Sequence, residues 1–204
     1  MESAWILGVA IAAGPLLVLV VGVAIQNRLA AAKVRVAGAF AQIEVQLQRR
    51  HDLVPRLVEV VRAAMAHERE TLERVTAART RAAEQLSAAT ADAPGDLAPA
   101  EAALEHSLGV LVARLEAYPE LKSSQNALAL QEELVTSENR IAFARHAYND
   151  AVVRFNIARR EFPSNLVASL LRYREAKVLE WDRAAIAAAP VVSIGGGSAA
   201  KASA

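Results

Sequence analysis

Residues Trp5–Ile25, WILGVAIAAGPLLVLVVGVAI, hold no charged side chain across 21 positions, and no other feature of the chain narrows its fold as much. As a helix rising about 1.5 Å per residue, the run is about 31 Å long, enough to cross the roughly 30 Å hydrocarbon core of a bilayer. A transmembrane helix from Trp5 to Ile25 is therefore predicted, with nearly all the remaining chain on one side of a membrane. A cleavable signal peptide is the rival reading, and Ala30-Ala31-Ala32 could serve as its cleavage site. Signal peptides, however, open with a basic stretch and have apolar cores of roughly 7–15 residues. Here no Lys or Arg precedes Trp5 and the apolar run is longer. Gly14 and Pro15 fall mid-span, where a kink is tolerated. Arg28, Lys33 and Arg35 follow the span, so the positive-inside rule places the N-terminus outside and the C-terminal domain in the cytoplasm.

The chain after the anchor is long enough for one domain with a real core. It contains no cysteine, which leaves neither a disulfide framework nor a lipidated cysteine available. The formal net charge of +1 argues against nucleic-acid binding, whose usual mark is a strong basic excess. Charge is unevenly spread: residues 28–62 carry seven Arg/Lys against three Asp/Glu, and residues 92–138 carry two against nine. The basic part lies next to the membrane and suits anionic lipid headgroups, although a solvated face with the sign that orients the anchor reads equally well.

Four stretches carry the three-and-four spacing of packed helices, predicting an all-α fold in which the transmembrane helix runs on into an antiparallel four-helix bundle. The first continues the anchor through Leu29, Val36, Phe40, Ile43 and Leu47. The second runs from Val54 to Leu86, with Asp52 as its N-cap and Pro55 in its first turn, where a missing N–H costs little. The third spans Leu104 to Tyr118 and stops at Pro119. The fourth pairs a large row (Leu134, Ile141, Tyr148, Phe155, Phe162) with a small one (Leu130, Ser137, Ala144, Ala151, Ala158), two interleaved seven-residue repeats that suggest close helix approach. Lengths conflict, however. Residues 26–50 give about 37 Å of helix above the anchor, whereas 53–91 would give about 58 Å and carry the second helix into the bilayer.

After Phe162-Pro163, residues 163–183 read as an amphipathic helix, with Leu166, Leu170 and Tyr173 on an apolar side, basic Arg172, Arg174 and Lys177, and Trp181 near its end. Such a helix suits a position on the membrane surface, and packing against the domain's own flank is the alternative. The expected organisation is thus a tail at 1–4, a span at 5–25, a bundle with its C-terminal helix at 26–183, and a Gly/Ala/Ser-rich disordered tail at 184–204.

Several motifs together resemble the LemA family. They are Gln42-Ile43-Glu44-Val45-Gln46-Leu47-Gln48-Arg49-Arg50, then Asp52-Leu53-Val54-Pro55, Glu116-Ala117-Tyr118-Pro119-Glu120-Leu121-Lys122 and Leu130-Gln131-Glu132-Glu133-Leu134. Glu138-Asn139-Arg140-Ile141, Tyr148-Asn149-Asp150-Ala151-Val152 and Phe162-Pro163-Ser164-Asn165-Leu166 complete the set. The chain departs from the family pattern at Ala127, where an aromatic is usual, and in lacking a Trp near Phe40. The resemblance implies a bacterial inner-membrane protein with one N-terminal span, a four-helix domain and no defined molecular activity. Its relatives are linked to membrane biogenesis and to membrane proteases.

No catalytic, cofactor or metal site is expected. His67-Glu68 begins a zinc-protease motif, but the position for the second histidine is Thr71. His51, His106 and His146 have no ligand spacing, and the paired Glu-x-x-His of a dimetal bundle is absent. No phosphate loop, cysteine nucleophile or serine elbow occurs. Glu68 and Arg79 fall at core-phase positions of the second helix, where a charge needs a partner. Arg50, Asp52 and Pro55, with Tyr118, Pro119 and Lys122, read as two distinctive turns at the membrane-distal end and make that end the candidate interaction surface. The expected function is a non-enzymatic scaffold or regulator of other membrane proteins, a membrane protease among them. A bilayer-remodelling protein acting by self-assembly is the alternative. Lipid is an expected partner, homo-oligomerisation is left open, and nucleic acid is not expected.

Overall fold

The computed structural model describes residues 2–62, 64–65 and 67–180, with side chains from residue 13 onward. Helix α1 runs unbroken from Glu2 to Arg62, 61 residues or about 92 Å. It takes in the expected span and most of the lead before it. Then come α2 (Arg69–Ala88), α3 (Leu97–Leu115), the single turn α4 (Pro119–Lys122), α5 (Gln125–Arg160) and α6 (Ser164–Leu170). No strand occurs among the described residues, and the fold is all-α.

One helix, α1, is long and apolar enough to cross a membrane; its 18-residue window of mean hydropathy 1.7 is only 11% buried. Val18 is 72% exposed, so this stretch is not a core helix of the domain.

The helix expected to start at Asp52 does not start there. Asp52 and Pro55 lie inside α1, and the chain turns only at 64–68, where the Met65 N–H donates to Val61 O at 2.9 Å and the Glu68 N–H to Met65 O at 2.9 Å. This removes the conflict of lengths. α2 is 20 residues long, about 30 Å, and its far end meets α1 above the apolar run, where Lys33 pairs with Asp92 at 3.0 Å.

α1 and α5 pack antiparallel: Leu29 shares a cluster with Ala158, Phe40 stacks near Tyr148 at a ring-centroid distance of 5.6 Å, and Arg50 bonds Glu138. The Ala93-Pro94-Gly95-Asp96 turn joins α2 to α3, and Gly95 there takes a left-handed φ of 56°, a conformation that suits a residue with no Cβ. The core falls into two large clusters. The lower one gathers Val36, Phe40, Ile43, Leu47, Leu97, Ile141, Tyr148 and Phe155; the upper one gathers Val54, Leu57, Val61, Leu72, Val75, Leu104, Leu111 and Leu134. A small third cluster at the base joins Leu29, Ala158 and Ala168, with Ile25 and Val167 against it.

The expected helix over 163–183 is also revised. α6 has only seven residues and ends at Leu170. The Tyr173 N–H donates to Ala168 O at 2.9 Å and the Arg172 N–H to Ser169 O at 3.2 Å, closing the helix with Arg172 at a left-handed φ of 55°. Residues 173–180 then run without helix as a strap along α5, with Ala176 and Leu179 buried in the lower cluster. Trp181 and the expected disordered tail lie outside the described residues.

Candidate functional site

Between the two core clusters lies a layer that is neither apolar nor open. Arg50 is 1% exposed, and His51 and Glu101 are fully buried. The Arg50 guanidinium donates from one terminal nitrogen to Glu101 Oε2 and from the other to Glu138 Oε2 at 2.7 Å. His51 Nε2 lies 2.7 Å from Glu101 Oε1. Glu101 accepts from Arg50 on its other oxygen, and as a carboxylate it is the acceptor here too, with the His51 Nε2–H donating. Each element contributes by register. Arg50 continues the seven-residue row Leu29, Val36, Ile43 on α1 and is followed by Leu57; Glu101 stands one repeat before Leu108 on α3. Glu138 lies beside buried Ser137 on α5, and its side chain, 40% exposed, carries the layer out to water.

The fourth helix joins through the backbone. Arg79 of α2 donates its Nε–H to the His51 carbonyl at 3.2 Å. That carbonyl would ordinarily accept the N–H four residues on, but the residue there is Pro55, which has none. The proline inside α1 is thus compensated by a side chain from the neighbouring helix. Three polar atoms of the layer, Arg50 Nε, His51 Nδ1 and Ser137 Oγ, are buried without a hydrogen-bond partner among the described residues.

A second polar device holds the strap. The Asn149 amide donates to Leu179 O at 3.2 Å and accepts from the Leu179 N–H at 2.9 Å. One repeat later, Asn156 donates to Ala176 O at 2.9 Å and accepts from the Ala176 N–H at 3.1 Å. Seven helical residues cover about 10.5 Å and three extended residues about 10 Å, so the two spacings match. Tyr148 donates its hydroxyl to Lys177 O at 2.8 Å, with Ala91 O at 3.2 Å on its other side. Burial, and then the nearby Asp92 carboxylate, push the Tyr148 phenol up to about 12. Glu175 closes the strap's start by pairing with Arg159 at 3.0 Å and Arg160 at 2.7 Å.

The residues expected to form one distal surface are divided. Arg50 is sealed in the core because it falls in phase with the apolar row of α1, so it cannot present a surface. Asp52 and Pro55 are exposed but lie well below the end of α1 at Arg62, and Asp52 is held by Gln48 at 3.0 Å. Tyr118 is half-buried against the upper cluster, and exposed Pro119 and Lys122 bracket α4. The turn that does stand beside them is 64–68, tied across by Glu68 and Arg114 at 3.5 Å. Leu166 and Leu170 are 63% and 82% exposed, whereas Tyr173 is half-buried, edge-on to Phe155 at 6.2 Å.

The family model described as the LemA family matches residues 39–194, well over half of the chain. The chain belongs to the LemA family. Among curated proteins none shows significant similarity to it. In this LemA family chain the matched region takes in the whole polar layer, both strap asparagines and α6, and begins above the apolar run of α1.

Proposed function

We propose that the protein is a single-pass inner-membrane protein, its domain in the cytoplasm, acting as a non-catalytic scaffold or regulator of other membrane proteins, a membrane protease among them. One observation carries this reading. A buried group of ionisable side chains, Arg50, His51 and Glu101, is sealed and engaged with itself between the helices. Such a layer sets helix register and leaves its groups unable to meet a substrate. The uncovered apolar run of α1 supports the anchor, and the paired turns at 64–68 and 118–124 supply the surface farthest from it.

The test is photo-crosslinking in intact cells from Glu120 and Lys122 of the full-length chain. A scaffold gives discrete adducts with integral membrane proteins, and an Arg50→Met/His51→Leu/Glu101→Leu variant that still folds gives the same adducts. Loss of those adducts in the folded variant would overturn the reading. A reporter fused after Ala204 that is active only outside the cytoplasm should be silent. A second reading, a protein that shapes the bilayer by self-assembly, is favoured by the uncovered apolar side chains around α6 and predicts that vesicles change size when the full chain is added.

A further inference from the structure

We infer that Phe162, Leu166 and Leu170 form a membrane-docking edge, resting in the headgroup region of the bilayer beside the point where α1 leaves it. This rests on the anchoring proposed above. α6 is amphipathic in the reverse of the usual sense. Its buried face is Ser164 and Ala168, while Leu166 and Leu170, four residues apart on the other side, are 63% and 82% exposed. Phe162, in the preceding turn and four residues before Leu166, is 80% exposed. Leu166 and Leu170 thus share one uncovered side of α6, and Phe162, in the turn that leads into it, adds a third uncovered apolar side chain.

What covers them follows from where they stand. α6 is held against the foot of the domain by the cluster of Leu29, Ala158 and Ala168, and Ile25, the last residue of the apolar run, packs on that same cluster. With α1 in the bilayer, α6 lies at the level where hydrocarbon gives way to headgroups. Cations flank this edge: Arg172 and Arg174 are exposed and have no ion pair among the described residues, and Arg28, paired with Glu161 at 3.5 Å, stands on α1 just above Ile25. An apolar edge with arginines close by in the chain suits an anionic interface, where apolar side chains enter to a depth of roughly 5–10 Å. The strap strengthens the placement, because Glu175 with Arg159 and Arg160 fixes the chain directly after α6 to α5.

The absence of cysteine from the chain makes the test clean. Single variants Leu17→Cys, Val135→Cys, Leu166→Cys and Leu170→Cys of the full chain carry a bimane label and are reconstituted into vesicles of mixed zwitterionic and anionic phospholipid brominated along the acyl chain, from the headgroup end to the midplane. All four positions are exposed, so the labels leave the core intact. The expected result is quenched, blue-shifted emission at 17, 166 and 170 and unquenched emission at 135, high on α5. If 17 is quenched while 166 and 170 behave as 135 does, the docking edge is overturned and the anchor stands. If 17 is not quenched, the anchor fails and the edge fails with it. Quenching at 135 equal to that at 170 would mean a domain lying flat, and would also overturn the edge. Leu166→Ser/Leu170→Ser, labelled at 162 through Phe162→Cys, should lose most of the quenching while circular dichroism stays unchanged.

Discussion

Pro55 and Arg79 act on the same carbonyl. The proline withholds the N–H that His51 O would have received within α1, and Arg79 Nε–H supplies one from α2 at 3.2 Å. A proline inside a helix ordinarily costs about 3 kcal/mol, and here part of that cost is offset by a donor from a neighbouring helix.

Their coupling can be measured. Arg79→Ala should destabilise the domain by about 1–2 kcal/mol, the effect of orphaning a buried acceptor. In a Pro55→Ala background, residue 55 regains its N–H and the same change should cost markedly less. Denaturant unfolding of the four proteins in the cycle reads this directly, and equal costs in both backgrounds would contradict the shared carbonyl.

The sealed layer should respond asymmetrically. Arg50→Ala leaves Glu101 buried without its cation, and Glu101→Ala leaves Arg50 without its buried anion; each should cost about 3–5 kcal/mol. Arg50→Met/Glu101→Leu, which removes both charges and keeps volume, should be far less damaging than the sum. Thermal unfolding checks this, and additive losses would refute the account of the layer as an interdependent pair.

Strap retention should depend on two asparagines in particular. Asn149→Ala and Asn156→Ala each remove a donor and an acceptor facing one strap residue. Each should speed hydrogen exchange at the amide it holds, Leu179 or Ala176, by at least about tenfold, a loss of about 1.4 kcal/mol. Exchange within α2 should be unaffected.

Tyr148 gives the domain a stability loss at high pH. Its folded value is raised to about 12 from an ordinary 10.0, by burial first and Asp92 second. The unfolded chain therefore releases the phenolic proton before the folded one does. The stabilisation is intact below pH 10 and is lost as pH rises toward 12, amounting to roughly 2–3 kcal/mol. Tyr148→Phe should remove that slope and Asp92→Asn should lessen it, as read from denaturant midpoints between pH 9 and 12.

Much of this was legible in the sequence. The seam of α5 is buried as its repeats predict at Leu134, Ile141, Tyr148 and Phe155, and only Phe162 falls outside it, because α5 ends at Arg160. The uncharged run from Trp5 to Ile25 is helical throughout. Two misreadings share one cause, the weight given to proline and charge over register. Pro55 looked like a helix start because its compensation by Arg79 is a contact across 28 residues. Arg50 looked like a surface residue because it is charged, although it stands one repeat from apolar core residues, Ile43 and Leu57; Glu101, one repeat before Leu108, drew no expectation at all. Counting sevens through the charged positions would have exposed the layer. The strap could not be found that way: residues 171–180 are rich enough in Leu, Arg and Ala to read as helix, and what extends them is side-chain amides on another element.

In the anchored arrangement proposed above, the continuity of α1 makes the lipid and the far cap of the domain two ends of one stiff strut. Thicker or thinner bilayers tilt or shift a span, and a helix with no loop between span and domain passes that displacement upward instead of absorbing it in a linker. About two-thirds of the way from Ile25 to Arg62 sits Arg50, whose guanidinium bonds carboxylates on two other helices, Glu101 of α3 and Glu138 of α5. The charged layer therefore ties α1 to α3 and α5 at one level, and a displacement of α1 there is felt by both helices at once.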